Sequence, residues 1–171
     1  ERYWRFEFAP ESDWLNRPKI LGELLIEKLY AAVRIRMDAD VPVGVFLSGG
    51  VDSSSVAALA MTARNTEPLR TYSIGFSEAS FDETPYSNDM ASILGTRHVN
   101  KLLSVQDCLG LINDIYYDLD EPMADSSLVP SFLMCRLARE EVTVALGGDG
   151  ADELFAGYDP FKALRMARLY S

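Results

Sequence analysis

Between Ile20 and Met37 the apolar residues Leu21, Leu24, Leu25, Leu29, Ala32, Val33 and Ile35 recur mostly three and four positions apart. That spacing gathers them on one side of an α-helix, so the pattern predicts a helix over these residues. Further on, the pattern changes to short apolar runs, each followed by a stretch of helical periodicity. Val43 to Leu47 predicts a buried strand, and a helix from about Asp52 to Arg64 follows it. Leu69 to Phe76 predicts a second strand, with a helix from Thr84 to Leu94. A third strand is expected over His98 to Leu103 and a helix over Val105 to Tyr117. Past the break at Asp120-Glu121-Pro122, the pattern predicts a helix over Leu128 to Glu140, a last strand over Val142 to Leu146 and a helix over Ala151 to Ala156. Strands that are apolar throughout, alternating with helices, imply a parallel sheet with helices on both faces, and the expected class is α/β. Ahead of this region, Tyr3-Trp4-Arg5-Phe6-Glu7-Phe8 alternates large apolar and polar residues and then meets Pro10, Asp13 and Pro18. Residues 1–18 therefore read as an extended lead-in and residues 19–171 as one domain.

Composition narrows the function classes. The 171 residues are 48% hydrophobic and 25% charged, enough apolar material for one folded core. Twenty-six acidic residues against 16 basic ones leave a formal charge of −10. That excess repels phosphate backbones and anionic lipid, which argues against a nucleic-acid groove or a polybasic membrane patch. A small anion such as a nucleotide is still admissible if backbone dipoles or a metal ion hold it. Cys108 and Cys135 form no CxxC and His98 is the one histidine, too few N and S ligands for structural zinc. Both cysteines fall on helical patterns and read as core thiols, and the expected compartment is a reducing cytoplasm. No apolar run approaches the roughly 18 residues of a membrane span, and no signal-like segment opens the chain. With Glu1 in place of an initiator Met, and a helical apolar pattern still running at Leu169-Tyr170-Ser171, the chain reads as a piece of a longer polypeptide.

Two strand ends carry unusual loops. Ser48-Gly49-Gly50-Val51-Asp52-Ser53-Ser54 stands directly between a predicted strand and a predicted helix. Its glycines permit a tight turn and close backbone approach, so several N–H groups and a helix N-terminus can address one anion, with Ser48 and Ser53 adding hydroxyls. It lacks the lysine of a Walker A loop and is not GxGxxG. A bare Asp52 in an anion site would repel phosphate, and a bridging Mg²⁺ removes that conflict; the plainer alternative is a helix cap. Gly147-Gly148-Asp149-Gly150-Ala151-Asp152-Glu153-Leu154 lies in the same context after the last strand. Asp149 and Asp152, three apart at a helix start, could both face the strand-end crevice as a metal ligand and an acid–base or electrostatic group, or form a solvated helix start.

The first loop resembles the PP-loop of the ATP pyrophosphatases. Paired with Gly148-Asp149-Gly150-Ala151-Asp152-Glu153-Leu154-Phe155-Ala156-Gly157-Tyr158, it resembles the synthetase domain of the glutamine-hydrolysing asparagine synthetases. Tyr3-Trp4, Asp40-Val41-Pro42-Val43-Gly44, Phe81-Asp82-Glu83, Leu94-Gly95-Thr96 and Asp120-Glu121-Pro122 with Asp125-Ser126 extend the similarity through nearly the whole chain. The resemblance implies the adenine nucleotide alpha hydrolase-like fold, with residues 19–171 as the ATP-binding part of the domain. It implies an enzyme that uses ATP and Mg²⁺ to adenylate a carboxylate, typically that of aspartate, with release of pyrophosphate. Ammonia from an N-terminal glutaminase domain then attacks the acyl-adenylate. Ser48, Gly49, Gly50, Asp52 and Ser53 match the pyrophosphate cradle, and Asp52 and Asp152 match Mg²⁺ ligands. Leu47, Ile74, Gly147 and Gly148 match positions that contact adenosine, and Asp149 matches an acid implicated in adenylate formation.

Gly147 stands where the family usually has Ser, and the family's glutaminase domain uses an N-terminal cysteine nucleophile whereas this chain starts with Glu1. The later helical half with its catalytic lysine is absent, and Lys162 comes too early to replace it, so the fragment alone is expected to be inactive. The rival readings are a β-lactam-forming, peptide-cyclising or sugar-amidating relative and a non-catalytic nucleotide-binding module. The charge of −10 disfavours a tRNA-modifying relative. His98 is expected to be a hydrogen-bonded structural residue, and Met61, Met90 and Met134 to be packing. For Glu121 and Asp125, capping and a place in the pocket stand level. An apolar face near Phe161 to Leu169 leaves a homodimer open.

Overall fold

The computed structural model describes residues 2, 3, 5, 17–63, 68–77, 82–121 and 123–167. Most of the lead-in expected over residues 1–18 lies outside the described residues, as do Arg64, Phe81 and Pro122. Four parallel strands form the centre: β1 (Val43–Phe46), β2 (Arg70–Phe76), β3 (Arg97–Leu103) and β4 (Val144–Leu146), in the order β3-β2-β1-β4. Gly44 pairs with Arg70, Thr71 with His98, and Val43 with Val144.

Side-chain alternation along β1 assigns the two faces. Val45 and Leu47 point toward α1 (Pro18–Met37), α2 (Val51–Ala63) and α3 (Thr84–Leu94), where they form a core with Val33, Ala57, Ala60, Leu69 and Ala91. The alanines at 57 and 60 let α2 lie close on the sheet. Phe46 points the other way, to a smaller cluster of Tyr72, Ala138 and Val142 beneath α5 (Leu128–Arg139), which packs beside α4 (Val105–Asp118). The expected α/β architecture, with helices on both faces, is the one observed.

Several details differ from the sequence pattern. Val142 and Thr143 do not enter the last strand. The Val142 N–H closes the end of α5 on the Ala138 carbonyl at 2.9 Å, and the Thr143 and Val144 N–H groups both reach the Pro42 carbonyl. The apolar stripe of α1 is largely uncovered: Val33 is its one buried residue, while Leu21, Leu25 and Ile26 are exposed. Only the C-terminal half of that helix reaches the α2 core. Cys135 is exposed and Cys108 half-buried, so the two free thiols are not core residues as expected. Met61 and Met90 do pack on the core. After α6 (Ala151–Phe155) a further helix, α7 (Asp159–Ala167), carries the apolar residues near Phe161.

The chain runs β1, α2, β2, α3, β3 outward on one side of β1, then returns through α4 and α5 to place β4 on the other side. The order of strands reverses between β1 and β4. At such a reversal the loops leaving neighbouring strands diverge and open a crevice beyond the carboxyl ends of the sheet.

Candidate functional site

The loop leaving β1 is held from inside. Ser48 N–H donates to Ser53 Oγ at 3.2 Å, the two hydroxyls lie 2.9 Å apart, and Gly50 N–H donates to Ser48 Oγ at 3.2 Å. Ser53 Oγ also donates to the Gly50 carbonyl at 3.3 Å. The serine hydroxyls thus brace the turn as well as lining it. Gly49 adopts φ +86°, and a Cβ there would lie 2.5 Å from the Tyr86 carbonyl carbon and 2.8 Å from Ser87 N. No side chain fits, so the loop rests directly on the backbone of α3. The first-turn N–H groups of α2 lack helical partners, and with the helix dipole they present positive potential to the crevice. Asp52 is exposed on that turn.

The loop leaving β4 meets the first at Gly148. A Cβ on Gly148 would stand 2.9 Å from Ser53 N and 3.0 Å from the Asp52 Cβ. A Cβ on Gly147 would run into Asp149 Oδ2, and one on Gly157 into Asp152 Oδ1. Gly147, the departure from the family pattern, therefore leaves the room that the Asp149 carboxylate occupies. Tyr158 donates its hydroxyl to Glu153 Oε1 at 2.8 Å and stacks on Phe161 with ring centroids 6.2 Å apart. Its hydroxyl pKa is raised, first by that hydrogen bond, then by burial and the negative charges of Glu153, Asp152 and Asp149.

Together these elements enclose a cleft of about 610 Å³, within the usual range for small-molecule sites. Leu47, Ser48, Gly50, Asp52 and Ser53 line one wall; Gly147, Gly148, Asp149 and Asp152 line another; and Ile74 stands at the end of β2. Of the residues that the resemblance matched to the site, Gly49 alone is outside the lining, against α3. Met134, expected to be packing, lines the cleft instead, and the sequence reading missed Ser73, Phe46, Phe76, Ser87 and Pro130, which also line it. Ser73 had a visible signal, a polar residue inside a buried strand pattern; the others had none. Asp125 is not in the lining. Its carboxylate accepts from the Ser127 N–H and hydroxyl at 2.8 Å each, which settles it as a turn-capping residue ahead of α5.

Charge in the cleft is one-sided. Asp52, Glu83, Asp149, Asp152 and Glu153 line it, and among the described residues no Lys, Arg or His does. No three His, Cys, Asp or Glu side chains among the described residues cluster as a metal site. Asp52 and Asp152, as separate carboxylates on one open cleft, fit an ion such as Mg²⁺ that takes one or two carboxylates and completes its shell with phosphate oxygens and water. No helix among the described residues is long and apolar enough to cross a membrane.

The asparagine synthase family model matches residues 24–171. A Bacillus subtilis protein named asparagine synthetase [glutamine-hydrolyzing] 1 is 34% identical over 160 residues, covering 94% of this chain and 24% of that protein. A Mycobacterium bovis protein named putative asparagine synthetase [glutamine-hydrolyzing] is 44% identical over 161 residues, with the same coverages of 94% and 24%. The chain thus spans about a quarter of the length of these relatives. The solved NH3-dependent NAD synthetase from Campylobacter jejuni superposes with a TM-score of 0.53 at 17% identity, covering 80% of this chain and 60% of that one, a likeness of fold. Because the family match runs unbroken from the first half of α1 through both loops of the cleft, this chain belongs to the asparagine synthase family.

Proposed function

We propose that the cleft binds Mg·ATP and, in the complete protein, serves an ATP-dependent amidating synthetase that converts aspartate to asparagine. The observation that carries this reading is the junction of the two glycine-rich loops at the β1/β4 reversal, where Gly148 packs on the Asp52–Ser53 backbone. In the proposed arrangement Ser48, Gly49, Gly50, Asp52 and Ser53 hold the pyrophosphate portion with loop and helix N–H groups. Leu47, Ile74, Gly147 and Gly148 contact adenosine at the strand ends. Asp52 and Asp152 hold Mg²⁺, which when bound neutralises the leaving pyrophosphate. Five carboxylates and no cationic side chain in the lining agree with that need, since a bare triphosphate would be repelled.

The substrate carboxylate oxygen attacks the α-phosphorus, the bond from that phosphorus to the α,β-bridging oxygen breaks, and pyrophosphate leaves with the electron pair. Ammonia then adds to the acyl carbon, loses a proton and expels AMP, giving the amide. Asp149 is assigned to adenylate formation. Ammonia would come from an N-terminal glutaminase domain, in keeping with the glutamine-hydrolysing names of the relatives.

Calorimetric titration with ATP, with and without Mg²⁺, tests the site. Binding should require Mg²⁺ and weaken about tenfold or more in Asp52→Ala, the loss of one charge-assisted contact. Metal-independent binding, unaltered by the substitution, would remove Asp52 from its proposed role.

A further inference from the structure

His98 lies on β3, outside the cleft, yet it is tied to the cleft wall through the Ser73 hydroxyl. Its Nδ1 lies 2.9 Å from Thr71 Oγ1 and its Nε2 lies 3.0 Å from Ser73 Oγ, both on the neighbouring strand β2. Thr71 is itself braced by Thr96 Oγ1 at 2.8 Å. Ser73 Oγ lies 3.2 Å from Ser87 Oγ, and Ser87 donates to the Thr84 carbonyl at 3.0 Å inside the first turn of α3. Ser73 and Ser87 are buried, and both line the cleft. The register pairs Ser73 with Asn100, whose amide N and O are buried without a hydrogen-bond partner, so Asn100 does not compete for the Ser73 hydroxyl. The chain of contacts ends on functional ground. The α3 backbone at Tyr86 and Ser87 is the surface on which Gly49 of the phosphate-facing loop rests, with no room for one more carbon.

We propose that His98 is a positioning residue for nucleotide binding: through Ser73 and Ser87 it fixes the α3 turn that seats the Gly49 loop. The inference rests on the Mg·ATP reading of the cleft. A neutral imidazole suits the task, because one nitrogen donates and the other accepts, giving both hydroxyls a defined partner. The Ser73 side of the ring carries the effect toward the loop. The Thr71 side only anchors the ring.

The two sides can be separated. The terminal amide of Gln reaches the place of Nε2, whereas that of Asn stops near the place of Nδ1. His98→Gln therefore keeps the link to Ser73, and His98→Asn keeps the one to Thr71. Mg·ATP affinity should be near wild type in His98→Gln and roughly fivefold to tenfold weaker in His98→Asn, the usual effect of one lost hydrogen bond. In the complete enzyme, assayed by pyrophosphate release, His98→Asn should raise KM for ATP while kcat stays within about twofold, the mark of lost uniform binding. Ser87→Ala cuts the next link and should weaken Mg·ATP binding as His98→Asn does; it decides the matter if His98→Asn does not fold. Equal affinities for both His98 variants, or losses that simply follow their melting temperatures, would overturn the assignment, as would unchanged affinity in Ser87→Ala. Failure of the wild-type protein to bind Mg·ATP would instead overturn the nucleotide reading, and this inference with it.

Discussion

Gly49 and His98 show how differently single residues disclose their work. Gly49 is legible from sequence as a turn residue, but its full constraint comes from α3, which leaves no space for a β-carbon. Gly49→Ala should destabilise the protein by about 2 kcal/mol or more, combining a left-handed non-glycine residue with overpacking against backbone. Urea unfolding with an unchanged m value checks this. His98 was legible as a hydrogen-bonded structural histidine, but not which groups it bonds, because its partners Thr71 and Ser73 stand on another strand. Burial lowers its pKa below the usual 6.5, with a smaller opposing contribution from a hydrogen bond to the Thr71 backbone. Above that value neither the folded nor the unfolded chain holds the proton. As pH falls below about 6.5 the unfolded chain takes up a proton that the folded one resists, so stability should decline until the folded-state pKa is also passed. Melting temperatures from pH 7.5 to 5 should show that decline in the wild type and lack this component in His98→Gln.

At the scale of elements, local signals served well where the determinants are local. Ser104 accepts from the Asp107 N–H while the Asp107 carboxylate accepts from the Ser104 N–H, a reciprocal cap that starts α4 where the periodicity placed it. Ser104→Ala should cost about 1 kcal/mol of stability, read by denaturant midpoint, and leave nucleotide affinity untouched because α4 does not line the cleft. Gly95, in the left-handed conformation, ends α3 at the expected place. The start of β4 was misplaced for an equally physical reason. Val142 and Thr143 have the apolar and β-branched character of a strand, but the end of α5 and the Pro42 carbonyl claim their N–H groups first.

Across the whole molecule, large apolar side chains stand uncovered in two regions. Among the described residues, Leu21, Leu25 and Ile26 on α1, and Leu154, Phe155, Phe161 and Leu164 around α6 and α7, stand exposed. Patches of this kind drive association. In isolation the chain should self-associate with concentration in sedimentation velocity runs, and the Leu25→Glu, Ile26→Glu double substitution should shift the distribution toward monomer without lowering the melting temperature. An unchanged distribution would move the association site away from α1.

The sequence by itself determined the fold class, most element positions and the residue content of two glycine- and acid-rich loops at strand ends. Each of those rests on residues within a few positions of one another, so periodicity, capping and turn propensity suffice to read them. The tertiary structure brings the two loops into one cleft, as the family resemblance implied and no local pattern shows, because that depends on β4 pairing with the free side of β1. Only the tertiary structure decided the wall formed by Ser73 and Ser87, the place of His98 behind it, and the room at Gly147 that Asp149 fills. These are contacts between segments far apart in the chain, set by how the sheet and helices pack.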